Sequence, residues 1–238
     1  DFRAEIANQT LADSASTAAA TARNGQLTKP PGALGRLEDL ALWVASWQGK
    51  GRPSITAPQV LIFAGNHGVC AQGVSAFPAE VTAQMVANFQ AGGAAINQLC
   101  RANGAELNVI ALDLDRPTAD FTQGPAMTEA EALEALNRGA VAVNEGADIL
   151  ILGEMGIGNS TVAAALAAAL FGGDVKEWVG PGTGSDPAGI ARKVDAIEHG
   201  LTRHADARGH AGAVLAALGG REQAAICGAV LAARAARI

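Results

Sequence analysis

An α/β fold on a parallel sheet is what this sequence predicts. Three observations carry the prediction: short apolar runs that alternate with helical patterns, glycine-rich turns at the ends of those runs, and an Ala- and Gly-rich composition. With 238 residues, 49% hydrophobic, 17% charged and 29 of them glycine, the chain is long enough to bury a substantial core in one large domain, with or without a small helical appendage. Alternating strands and helices specify a parallel sheet covered on both faces, because each parallel crossover needs a helix to return the chain.

Residues 4–23 are alanine-rich without Gly or Pro and read as a helix stopping near Asn24-Gly25. Lys29-Pro30-Pro31-Gly32 forces an extended turn. Leu34, Leu37, Leu40, Ala41 and Val44 recur at helical spacing, giving an amphipathic helix to about Trp47, and 48–58 is a linker. Val60-Leu61-Ile62-Phe63 is a buried strand, and 78–89 a helix with Pro78 in its first turn. A second strand runs from Leu107 to Leu112. The next helix covers 128–145, where Thr128 and Glu131 form a capping box. Ile149 to Leu152 is the third strand and 160–171 the helix after it. Trp178-Val179 starts a short strand or loop, Asp186-Pro187 starts a helix, and 222–236 is the last helix. The expected domains are 1–50, N-terminal helices of a small helical unit, and 51–238, an α/β nucleotide-binding unit.

Several classes are disfavoured. A net charge of −6 without a basic cluster argues against a nucleic-acid surface. Cys70, Cys100 and Cys227 are an odd number at wide spacing, which fits neither a disulfide framework nor a zinc site and suits buried thiols in a reducing cytoplasm. The most apolar run, Val162 to Phe171, is far short of the roughly 20 residues that cross a bilayer. The chain begins Asp1-Phe2-Arg3 with neither a signal pattern nor an initiator Met, and looks trimmed there. No strand is followed by a Gly-x-Gly-x-x-Gly turn with an acidic residue about 20 positions on, which disfavours a nucleotide-binding dehydrogenase.

Ligands of an open parallel sheet bind at the carboxyl ends of its strands, so three loops are candidates. In Gly65-Asn66-His67-Gly68-Val69, glycines let a polar pair approach a ligand, but Asn66 and His67 would equally serve to satisfy loop backbone groups. In Gly153 to Thr161, the glycines and the helix start suit an anion cradle. Glu154 there, just past a buried strand and beside Met155, is a candidate base of raised pKa, or else a turn cap or an ion-pair partner. In Gly180 to Pro187, exposed N–H groups and Lys193 on the following helix fit phosphate binding. A surface turn followed by solvated Arg192 and Lys193 is the alternative.

Four motifs occur in order: Lys29 to Glu38; the Asn-His-Gly-Val loop with Ser75-Ala76-Phe77-Pro78-Ala79-Glu80-Val81-Thr82; Gly124-Pro125-Ala126-Met127-Thr128; and Gly153 to Thr161. Together they resemble the cobalamin-assembly family of nicotinate-nucleotide:dimethylbenzimidazole phosphoribosyltransferases over nearly the whole chain. The resemblance implies a Rossmann-like sheet with a small helical domain built from both chain ends, and a cytoplasmic homodimer. The implied activity transfers phosphoribose from nicotinate mononucleotide to 5,6-dimethylbenzimidazole, giving α-ribazole 5′-phosphate and nicotinate. No metal or other cofactor is implied. By the same resemblance Glu154 is a catalytic residue of the active-site loop, as an auxiliary base or orienting carboxylate. Gly182, Thr183 and Lys193 are expected near the phosphate, Gly156, Asn159 and Ser160 near the nucleotide, and Phe77 and Met85 in the benzimidazole pocket.

Two departures stand out. Many family members carry Asp where this chain has Asn66. The family also continues past the position of Ile238 with a segment holding the principal general base, so the expectation is a chain lacking its C-terminal part. A non-catalytic module that binds the nucleotide or the benzimidazole is the alternative.

Overall fold

In a computed structural model, which describes residues 9–238, three parallel strands carry the molecule. They are β1 (Pro58–Ala64), β2 (Glu106–Ala111) and β3 (Ile149–Met155), in the order β2-β1-β3. The chain leaves β1 toward one side, through helices α3 (Glu80–Gln90) and α4 (Ala95–Asn103), to form β2. It then recrosses through α5 (Glu129–Val141) to form β3 on the other side. The direction of winding reverses between β1 and β3, and a crevice at that reversal is where an open sheet binds ligands.

Register assigns the two faces. Leu61 and Phe63 of β1 lie level with Leu152 and Glu154 of β3, and Phe63 with Ile110 of β2. Residues paired in a parallel ladder point to the same side, so these side chains share one face. Leu61, Phe63, Ile110, Leu150 and Leu152 pack there against Ala225, Ile226 and Ala229 of the last helix, α10 (Arg221–Ala236). Val60 and Ile62 share the opposite face with Leu107 and Val109, where the α3–α4 turn lies over Leu107 and Val109. A second core joins α6 (Asn159–Phe171), α8 (Pro187–Arg203) and α9 (Ala211–Leu218) through Val162, Ala165, Val194, Ile197, Val214 and Leu218 around Phe121. The short α7 (Val175–Trp178) closes against it.

Local chemistry explains most boundaries. Thr128 and Glu131 form the expected capping box of α5, and Asp186 caps α8 with Pro187 in the first turn, as expected. Other boundaries differ. The N-terminal helix α1 (Ser14–Gly25) does not reach back to residue 4: Asp13 caps it by accepting from Ser16 N at 2.6 Å, so residues 9–13 are not helical, and 4–8 lie outside the described residues. Helix α5 stops at Val141 rather than 145, because buried Gln59 takes over the chain, donating to Ala142 O and accepting from Asn144 N. Trp178 ends a helical turn capped by Asp174, not a strand, and Val179 after it is the loop that the other reading expects. Helices α4 and α9 are additions to the elements that the sequence pattern predicts.

The apolar stripe of α2 (Arg36–Gln48) predicts a core-facing surface, yet Leu37, Leu40 and Trp43 remain exposed while Ala45 and Ser46 are buried. That pair of N-terminal helices joins the end of α10 through Arg234, which lies 5.2 Å from the Trp47 ring centroid and donates to Thr10 O. Among the described residues no helix is long and apolar enough to cross a membrane.

Candidate active site at the carboxyl ends of β1 and β3

The site is built on the crevice between β1 and β3. Strand β3 extends to Met155, so Glu154 belongs to the strand itself, level with Phe63, rather than to the loop after it. Its side chain is open to solvent, yet protein surrounds the carboxyl at longer range. Burial is the main influence that pushes its carboxyl above the usual glutamate range. Glu222 pushes the same way, and His67 works against both. A reachable carboxylate of raised pKa is what a base at near-neutral pH requires.

His67 and Glu222 stand behind it, both side chains fully buried, with His67 Nε2 2.9 Å from Glu222 Oε1. His67 is fixed by its backbone, which bridges to Thr118 while Thr118 N donates to Asn66 O. Asn66 donates from Nδ2 to Leu114 O. Asn66 thus satisfies a loop carbonyl, as the alternative reading expects, while the His67 ring faces Glu222 instead of a backbone group. Glycine is required where Gly156 passes the His67 ring: a β-carbon there would stand 2.9 Å from Nε2 and 2.5 Å from Gly65 O.

The turn after β3 is held from below. Ile157 N donates to the buried Thr82 hydroxyl on α3, and Cys70 Sγ contacts Ile157 O at 3.2 Å. Burial pushes the Cys70 thiol up to about 11, which leaves it protonated at neutral pH and a poor nucleophile. Gly158, at φ +88°, then turns the chain into α6, so Asn159 and Ser160 sit at a helix N-terminus, where the dipole favours an anion.

The third loop arrives over that helix start. Gly182, at φ +56°, passes so close that a β-carbon on it would stand 3.2 Å from both Ser160 Oγ and Lys193 Nζ. Lys193 is buried and donates to Gly180 O at 3.2 Å, and burial lowers its pKa. A buried ammonium beside a hydroxyl and a helix N-terminus is chemistry that recognises phosphate. Thr183 is exposed on the same turn. Arg192 is exposed, as the alternative reading expects, and donates to Gly73 O at 2.8 Å, tying α8 to the loop after β1.

The structure thus brings together Gly156, Asn159, Ser160, Gly182 and Lys193. Met85 is half-buried one turn beyond Thr82, whereas Phe77 stands with an exposed ring on the loop before α3. Sequence reasoning missed Glu222 as a site residue, since it reads as an ordinary first-turn acid of a helix. The available local signal was Gly220 ahead of it, where a β-carbon would stand 2.7 Å from Glu222 Oε2. Among the described residues, no group of three or more His, Cys, Asp or Glu could hold a metal ion.

Comparison with known proteins identifies the family. A family model described as phosphoribosyltransferase matches residues 10–238. The nicotinate-nucleotide–dimethylbenzimidazole phosphoribosyltransferase of Rhodobacter capsulatus is 68% identical over 228 residues, covering 96% of this chain and 68% of that protein. One of the same name from Cereibacter sphaeroides is 60% identical over 237 residues, covering 100% of this chain and 70% of that protein. The crystal structure of CobT from Thermus thermophilus superposes with a TM-score of 0.87 at 42% identity, covering 94% of this chain and 73% of that one. With this match along nearly its whole length, the chain belongs to the phosphoribosyltransferase family of these enzymes.

Proposed function

We propose that the chain carries the phosphoribosyltransferase activity for which its relatives are named. Phosphoribose passes from nicotinate mononucleotide to 5,6-dimethylbenzimidazole, giving α-ribazole 5′-phosphate and nicotinate in cobalamin lower-ligand assembly. The observation that carries this reading is the convergence of Ser160, Gly182 and Lys193 at the start of α6, next in the chain to the strand end that bears Glu154.

In the reaction a ring nitrogen of the benzimidazole bonds to the anomeric carbon as the ring N–H proton leaves to a base. The bond to the pyridinium nitrogen breaks, and its electron pair departs with nicotinate. The phosphate subsite fixes the ribose by its 5′ end, which makes the displacement effectively unimolecular. Glu154, reachable yet held above the usual glutamate range, accepts the proton or orients the incoming base. Met85 and Phe77 supply apolar, polarizable surface for the aromatic ring, and Thr183 and Asn159 complete the polar lining.

The same reading includes a homodimer in the cytoplasm and a division at residue 50 between the N-terminal helices and the sheet domain. Its test is nicotinate release from nicotinate mononucleotide with and without 5,6-dimethylbenzimidazole, paired with calorimetric titration of each compound. Release that depends on the benzimidazole supports transfer. Binding without release assigns the chain to a non-catalytic nucleotide- or benzimidazole-binding role.

A further inference from the structure

Glu222 is buried without compensation that ordinary packing would provide. It opens α10 behind Gly219-Gly220, its side chain is fully buried, and neither carboxyl oxygen has an aligned hydrogen-bond donor among the described residues. His67 Nε2 approaches to 2.9 Å but off the line of a good hydrogen bond, and the buried His67 Nδ1 and Asn66 Oδ1 are likewise unpartnered. Two glycines admit the carboxyl. A β-carbon on Gly65 would stand 2.5 Å from Glu222 Oε2, and one on Gly220 would overlap His67. A buried carboxylate left this poorly paired is costly to keep, and it lies where winding of the sheet reverses.

The pair is also tied to Glu154. Glu154 faces the α10 side of the sheet, level with Phe63, and α10 begins at the residue before Glu222. Two positions after Glu154, Gly156 lies against the His67 ring. The groups that act on the Glu154 charge are Glu222 from α10 and His67 from the loop after β1. The neighbouring cation, Arg221, turns away to Arg116 O and Glu131. Gln223 and Asn66 are neutral.

We propose that Glu222 and His67 form a positioning pair that shares one proton and decides whether Glu154 meets the substrate charged or neutral. Both are fully buried, so they act through Glu154 and not on the substrate. With the proton on the pair, its net charge is zero and Glu154 ionises readily. Once the pair has lost that proton it carries a negative charge that opposes ionisation of Glu154. The inference rests on Glu154 being the acid–base carboxylate of the proposed transfer.

The test is carbon-13 NMR of the glutamate side-chain carboxyls in the 238-residue protein, with Glu154 and Glu222 assigned from the signals lost in Glu154→Gln and Glu222→Gln. In Glu222→Gln the Glu154 midpoint is expected to move to lower pH by about one unit, while Glu222→Asp leaves it near the parent value. In His67→Asn, which removes a group that lowers the Glu154 pKa, the Glu154 midpoint is expected to move to higher pH. Equal Glu154 midpoints in the parent and Glu222→Gln, or in the parent and His67→Asn, would overturn the proposal. If these variants do not fold, the parent protein decides. A two-step titration of the Glu154 carboxyl signal supports the pair, and a single-step curve overturns it. The limb of the kcat–pH profile is expected to follow the Glu154 midpoint with KM unchanged. Absence of nicotinate release would remove the transferase reading and leave the titration to judge the pair.

Discussion

Ser160 Oγ and Lys193 Nζ converge on one face of Gly182, each 3.2 Å from where a β-carbon on that glycine would stand. They come from different helices, one from the first turn of α6 and one from the second turn of α8, and the glycine turn closes over both. Gly182→Ala would strain a backbone at φ +56° by about 1–2 kcal/mol and place a methyl between the two polar groups. The expected result is a loss of nicotinate mononucleotide affinity of about tenfold or more by calorimetry. Unchanged affinity would remove the phosphate from this turn.

Lys193 makes a separable prediction. Its ammonium is buried against Gly180 O, and burial alone lowers its pKa, so the unliganded protein holds it at a cost. Lys193→Met keeps the aliphatic stem and removes the charge. Loss of one charge-assisted phosphate contact weakens nucleotide binding by about 10- to 100-fold, while the ligand-free melting temperature rises. A variant that binds normally, or one that is less stable without ligand, contradicts the assigned role.

Glu154 carries a stability consequence with a defined sign. Its folded pKa is raised above the ordinary value of 4.5, so the folded state holds this proton more tightly than the unfolded chain does. The contribution to stability is complete below pH 4.5 and is lost as pH rises through the raised folded value. Glu154→Gln, neutral at every pH, is therefore expected to melt higher than the parent at pH 7 and level with it well below pH 4.5, while transfer falls. Equal melting curves across that range would contradict a raised pKa.

Local signals made the scaffold legible, and long-range packing hid the rest. Val60 to Phe63 reads as a strand because a run of apolar β-formers between turns has few alternatives. Asp186-Pro187 reads as a helix start because a cap and a first-turn proline are local chemistry. The Ser160–Gly182–Lys193 meeting was legible only as three separate candidates, since no periodicity says that one turn will close over another helix. Glu222 went unread for a related reason: apart from the adjacent Gly220, its burial depends on Gly65, at the far-off end of β1. Helices α4 and α9 went unread because both are short, nine and eight residues, and neither N-cap, Ala94 nor His210, makes a side-chain capping hydrogen bond. The exposed stripe of α2 shows that periodicity reports a helix with an apolar face, not what covers that face.

The crossing of α5 and α10 depends on two glycines. A β-carbon on Gly139 would overlap the Ala225 carbonyl, and one on Gly228 would overlap the Leu136 carbonyl, so the helices touch backbone to backbone. Neither obstacle is a flexible side-chain end that can swing away. Gly139→Ala or Gly228→Ala should cost about 3 kcal/mol and lower the melting temperature by roughly 10 °C. Because α10 carries Glu222, the separation should also disturb the site. Parent-like stability in either variant would mean that the helices are farther apart than described.

The capping box of α5 supplies a prediction in which pH reports the cap. Thr128 N and its hydroxyl both donate to Glu131 Oε2, at 2.9 and 3.0 Å, and Glu131 N donates back to the Thr128 hydroxyl at 3.1 Å. The Thr128 N–H is the main influence holding the Glu131 carboxyl below 4.5, helped by the hydroxyl and by Arg221. A depressed folded pKa contributes stability that is present above 4.5 and lost as pH falls through the folded value. Thr128→Ala removes the hydroxyl and keeps the main-chain donor, so it should cost about 1 kcal/mol at about pH 7 in denaturant unfolding. The difference from the parent should shrink as pH falls below 4.5, because part of the deleted interaction needs the ionised carboxylate. A difference that stays constant down to about pH 3 would mean that the hydroxyl acts on the helix N-terminus alone and not through Glu131.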